Sequence, residues 1–314
     1  MRTGAANFVI FFDEKEGTTA LMSLLDKLPG ITILRKDRGH GLTSVEPFDL
    51  HSCGRMSDAD LRFCLHGLLG SQPVDPEAIQ ARYGRTAMGR LLGVRQGAVT
   101  GLKMRFRVLT LPWYPDRLPI VHRVLSRTLP RVSKQLEDLS QRINLRNYRR
   151  LMIKILKRNQ VVVFLAVRQD VFRWALSKYH GDGTGQPGHL QFRLARGELQ
   201  RSEIGKIHVD PVRFETIVAS CEAFLARKRE LRQVLVRAGL EVYPICYEDF
   251  LSSPYETLAR ICRLIRFEVP EDDLRRVVAE GADVQKVHSE DISEFVENDR
   301  QMIERFGHRF VPWQ

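Results

Sequence analysis

Lys15, Gly17, Thr18 and Thr19 stand in N-F-V-I-F-F-D-E-K-E-G-T-T, residues 7–19, where an apolar run enters a short charged loop. A lysine, two hydroxyls and the backbone N–H groups that open a helix are donors suited to a phosphate-like anion. The Walker loop, G-x-x-x-x-G-K-[ST], does not describe this segment. Lys15 comes before Gly17 instead of following a glycine, and no first glycine is present. Read from the residues alone, the segment is either an anion loop or a strand–turn–helix junction. In the second case Gly17 only permits the turn and Thr18 only caps the helix.

A second constellation lies in V-V-V-F-L-A-V-R-Q-D-V-F-R-W-A-L-S-K-Y-H, residues 161–180. An apolar run ends in Arg168, and Ser177 follows on a helical stretch. Arginine offers phosphate a planar fork, and a hydroxyl adds one donor at fixed distance. The competing reading of Arg168 is a strand-end salt bridge with Asp170.

The elements that must position these groups follow from hydrophobic patterning. Strands are expected at Phe8–Phe12, Ile31–Leu34, Thr100–Arg105, Val161–Val167 and Glu241–Cys246. The first and fourth are continuous apolar runs, the mark of strands covered on both faces of a parallel sheet. Helices are expected at Thr18–Leu28, Asp58–Leu69, Pro76–Leu92, Arg131–Ile143, Leu145–Lys157 and Phe214–Ala238, the last stopping at Gly239. Gly181–Gly188 carries four glycines and a proline and reads as a flexible loop; Pro112–Pro119 is a second turn-rich segment. Strand–helix alternation of this kind predicts an α/β fold, a P-loop-like parallel sheet flanked by helices. A single domain over residues 1–314 is expected, with helical insertions at about 53–95, 112–158 and 181–238.

Composition narrows the class. The chain has 314 residues, 43% hydrophobic and 28% charged, and a formal charge of +11. Such an excess favours an anionic partner. The arginines are scattered through helical stretches and so give no sign of specific nucleic-acid binding. Cys53, Cys64, Cys221, Cys246 and Cys262 form no C-x-x-C pair and read as buried free thiols, in keeping with a reducing, cytoplasmic setting and no structural zinc. No apolar stretch is long enough to span a membrane.

The loop at residues 12–19 resembles the phosphosulfate loop of sulfotransferases, a strand, then roughly T-P-[RK]-S-G-[ST]-[ST], then a helix. Lys15 takes the basic position, Gly17 the glycine, and Thr18 and Thr19 the hydroxyls. Glu14 replaces the proline and Glu16 the small hydroxyl residue, adding negative charge beside an anion site. Residues 161–180 are similar to the segment whose arginine and serine hold the 3′-phosphate of the family's donor, 3′-phosphoadenosine 5′-phosphosulfate (PAPS). The usual register puts the arginine at the place of Gln169, one residue after Arg168. Y-P-I-C-Y-E-D-F-L-S-S-P-Y-E-T-L, residues 243–258, looks like the family's strand, Y-E-D and helix opening, which makes Tyr247 and Glu248 scaffold. V-Q-K-V-H-S-E-D-I-S-E-F-V-E-N, residues 284–298, resembles the bacterial ending in which a basic residue precedes a helix containing an asparagine. These islands come in the family's order.

The resemblance to PAPS-dependent sulfotransferases of bacterial type, those acting on trehalose and other carbohydrates included, implies a metal-free transfer of a sulfuryl group. The acceptor would be a hydroxyl or amine on a small molecule, carbohydrate or lipid, and PAP would be the product. It implies donor contacts from Lys15, Glu16, Gly17, Thr18, Thr19, Arg168, Ser177 and Lys286. Lys103, in G-L-K-M-R-F, resembles a lysine near the transferred group, with a solvent-facing strand lysine as the other reading. A base is sought just after the first helix, where His40, Glu46, Asp49 and His51 occur. Pro47 keeps Glu46 out of a helix, and Glu46 is the expected base with His51 in reserve. Two other readings stay open: a catalytically degenerate binding protein for PAP or a polyanion, and a P-loop nucleotide kinase. Oligomeric state is not legible.

Overall fold

The computed structural model describes residues 4–13, 15–34, 58–69, 98–105, 149–183, 194, 197, 198, 200, 203–282 and 291–313. Five strands, β1 (Phe8–Phe12), β2 (Ile31–Leu34), β3 (Val99–Arg105), β4 (Val162–Val167) and β5 (Val242–Cys246), form one sheet in the order β2-β3-β1-β4-β5. Every pairing is parallel, and β1 lies between β3 and β4 with Ile10 opposite both Lys103 and Phe164. The chain runs from β1 outward, returns beside it as β3, and then crosses to its other side as β4. The crevice beyond the carboxyl end of β1 is therefore a switch point, the usual ligand position in open α/β sheets.

The α/β expectation holds, and the reason lies in the alternation of the central strands. Phe8, Ile10 and Phe12 of β1 enter one core with Val162, Phe164 and Ala166 of β4. Val9 and Phe11 enter the opposite core with Val163, Leu165 and Val167. Both faces are covered, so the sequence shows unbroken apolar runs. The first core is closed by α1 (Thr18–Lys27) and by helices after β5. The second receives α2 (Asp58–Leu69), the helical residues 149–158 (α3), α4 (Val171–Gly183) and α5 (Pro211–Arg237). After β5 come α6 (Tyr247–Ser252), α7 (Pro254–Leu264), α8 (Glu271–Glu280) and α9 (Asp299–Phe306). Buried Asn7 links the start of β1 to its neighbours: its Oδ1 accepts from Thr100 N at 2.7 Å and its Nδ2 donates to Leu69 O at 2.9 Å.

Several boundaries differ from the sequence reading. α5 starts at Pro211, ahead of Phe214, because Asp210 caps it by accepting from Val212 N at 2.9 Å, with Pro211 in the first turn. α4 runs through Gly183, so the start of the glycine-rich Gly181–Gly188 segment is helical and not loop. Asn298 does not sit inside a helix: it precedes α9, and its side chain ties to Val209 by Nδ2 to O at 2.9 Å and N to Oδ1 at 3.0 Å. The expected helices Pro76–Leu92 and Arg131–Ile143 and the Pro112–Pro119 segment lie outside the described residues. Among the described residues no helix is long and apolar enough to cross a membrane. Burial pushes the free thiols of Cys221 and Cys246 up to about 12 and that of Cys262 to about 11, far from reactive.

Candidate functional site

β1 ends at Phe12 and the chain turns sharply before α1. Lys15 and Gly17 both take left-handed backbone angles, with φ of 66° and 71°. Between them the side chain of Glu16 turns inward. Its Oε2 accepts the Asp13 N–H at 2.6 Å, and Lys228 Nζ from α5 donates to its Oε1. Neither side chain of the Glu16–Lys228 pair is exposed. Burial pushes Glu16 up to about 7, against the pull of Lys228, and burial likewise lowers Lys228. Asp13 is held by Lys178 of α4 at 2.7 Å. The acid that the sequence sets beside the anion position is thus directed away from it.

What faces outward is positive. Gly17 O accepts from both Ala20 N and Leu21 N, and no side chain caps α1. The N–H groups of Gly17, Thr18 and Thr19 therefore open the helix without a capping acceptor among the described residues. Lys15 is exposed beside them. Lys103 Nζ, from the neighbouring strand, reaches Thr19 Oγ1 at 3.2 Å and lies 4.5 Å from the centre of the Phe12 ring. Its side chain is thus directed at the first turn of α1.

Arg168 closes the other side. Its guanidinium donates from Nη1 to Lys15 O at 3.0 Å and stacks on Tyr247 at 4.6 Å. The residue is only 8% exposed, and its buried Nε has no acceptor among the described residues. Asp170 pairs instead with Arg173, at 3.4 Å, and accepts Arg173 N at 2.8 Å, which opens α4. Tyr247 also explains the glycine: a Cβ on Gly17 would come within 2.3 Å of its ring. Glu248 Oε1 accepts the N–H groups of Gln169 at 3.0 Å and Asp170 at 2.9 Å, fixing the chain just past β4. The side chain of Gln169, at the usual arginine position, is occupied elsewhere, accepting Trp313 N at 2.7 Å.

Ser177 is half-buried on α4, the helix that also supplies Lys178 and buried His180. His180 is lowered by burial first and by the charge of Lys15 second. Glu14, His40, Glu46, Asp49, His51 and Lys286 lie outside the described residues. Sequence reasoning missed Lys228, Lys178 and Asp13. A signal for Lys228 was present: along α5 the buried positions Phe214, Val218, Cys221, Leu225, Lys228, Leu231 and Leu235 keep one helical stripe, and a lysine stands in it.

No protein-family model matches the chain, and no curated protein matches it. Solved structures to which it is similar include three sulfotransferases. That of Alicyclobacillus acidocaldarius is 16% identical, with 88% of this chain and 91% of that one covered and a TM-score of 0.38. That of Mycobacterium avium is 10% identical over 98% and 76%, with a TM-score of 0.38. That of Mycobacterium tuberculosis H37Rv is 15% identical over 97% and 77%, with a TM-score of 0.37. A likeness this loose carries no weight for chemistry.

Proposed function

We propose that the chain is a sulfotransferase that moves a sulfuryl group from PAPS to a hydroxyl or amine of a small-molecule, carbohydrate or lipid acceptor. The observation that carries the proposal is the convergence at the carboxyl end of β1. The uncapped start of α1, Lys15, Lys103 and the buried fork of Arg168 meet there, while the two described acids of the turn, Asp13 and Glu16, are each held by a buried or half-buried lysine. Residues of this kind fit a doubly anionic nucleotide. In this reading Lys15 and the N–H groups of Gly17, Thr18 and Thr19 hold the phosphosulfate end, and Arg168, Ser177 and Lys286 hold the 3′-phosphate. Glu16 contributes backbone only.

When bound, the donor supplies an activated sulfuryl group on a phosphate oxygen. Lys15, Lys103 and the loop N–H groups put fixed positive charge where negative charge grows on that oxygen, a preorganised stabilisation that needs no rearrangement. Glu46 takes the acceptor's proton, with His51 as the other candidate. The test is direct: sulfated product formed from PAPS across a panel of hydroxyl and amine acceptors supports the proposal. PAP binding without turnover on any acceptor would instead leave a degenerate binding protein. Stabilisation by ATP–magnesium and not by PAP would point to a kinase.

A further inference from the structure

Glu16 adjoins both Lys15 and Gly17, so its carboxylate would oppose any anion the loop receives. The fold meets it with a lysine from a distant helix. Lys228 Nζ bonds Glu16 and also donates to Ala166 O near the end of β4 at 2.6 Å. Beside this pair Lys178 holds Asp13, and the Trp174 ring lies 4.5 Å from Lys178 Nζ and 5.8 Å from Lys228 Nζ. Two acids of one turn are thus each answered by a lysine from a separate helix. Buried ion pairs of this kind add little stability over a well-packed apolar pair. What a charged pair supplies here is direction: it fixes which way Glu16 points and therefore how Lys15 and Gly17 turn.

We infer that Lys228 is a positioning residue for the anion loop, binding the Glu16 carboxylate beneath it, holding Asp13 and residues 15–19 in their anion-receiving turn, and cancelling the charge that would repel the ligand. The inference rests on the reading of this loop as the donor site. The groups facing the pair are Asp13 of the turn, Lys178 of α4 and Cys221 on α5 itself, with Arg168 acting on Cys221. Cys221 remains a neutral thiol, being pushed up to about 12.

The test compares the parent, Glu16→Gln, Lys228→Met and the double variant, using PAP titrated by calorimetry and hydrogen exchange of the peptide containing residues 13–19. Lys228→Met should weaken PAP at least about 10-fold and speed exchange. The double variant, which buries no charge at either position, should return to within about threefold of the parent, since the two residues act as one unit. A pH series separates positioning from packing. Glu16 gains its proton near pH 7, which dissolves the charged pair that directs the loop, so parent affinity for PAP should fall as pH falls through that value, while Glu16→Gln should lack this step. Titration of His180 and of PAP itself is common to both proteins and drops out of the comparison. A Lys228→Met protein that binds PAP like the parent, or a Glu16→Gln protein that keeps the step, overturns the inference. Failure of both Lys228→Met and the double variant to fold makes the role one of general packing and also overturns it. Should the parent bind no PAP, the donor reading falls and exchange alone decides: faster exchange in Lys228→Met that the double variant reverses upholds loop positioning, and unchanged exchange ends it.

Discussion

Gly17 carries two constraints at once, a left-handed φ of 71° and a tyrosine ring where a Cβ would stand. Gly17→Ala should therefore cost at least about 2 kcal/mol in chemical denaturation, combining backbone strain with overpacking. Tyr247→Ala on that background should return only the packing part, because the strain stays. Full recovery in the double variant would show that φ is not the constraint. Arg168 stands in a different balance, since one of its donors is committed to Lys15 O and its buried Nε has no acceptor among the described residues. Arg168→Ala is expected to weaken PAP by about 1.5–3 kcal/mol, the size of a charge-assisted bond. An unchanged dissociation constant would remove it from the site. Glu46→Gln keeps the side chain's volume and removes the proposed base. Turnover should fall about 10²–10⁴-fold with PAP affinity kept; loss on His51→Ala with Glu46→Gln still active would transfer the role to the histidine.

The elements were legible wherever a local pattern determined them. Phe8–Phe12 and Ile31–Leu34 could be bounded to the residue because apolar runs end at turn chemistry on both sides. The start of α5 was less legible, since Asp210 and Pro211 set it by capping and not by apolar spacing. Asp210→Ala should lower stability by about 1 kcal/mol in denaturant unfolding; a change within error would mean the proline alone defines that end. For the site, the loop and the strand-end arginine could be read because donors to an anion are adjacent in sequence. The Glu16–Lys228 pair could not, because its partners meet only when α5 packs across the sheet. Likewise nothing local indicates that Asp170 turns to Arg173 and leaves Arg168 to Lys15 and Tyr247.

At the scale of the molecule, a five-stranded parallel sheet brings groups from β1, β3 and the end of β4 to one crevice and sets α4 and α5 behind it. Positive charge comes from lysines, an arginine and a helix start, so transfer from PAPS should persist in EDTA. Activity lost on chelation and restored by magnesium would favour phosphoryl chemistry instead. The most direct single measurement is a calorimetric titration of PAP into the parent protein, run beside ATP–magnesium. Saturable one-site binding of PAP, with ATP–magnesium at least about tenfold weaker, is the predicted result, a difference of about 1.4 kcal/mol. Binding of ATP–magnesium with no heat from PAP would contradict the assignment of this crevice to the sulfate donor.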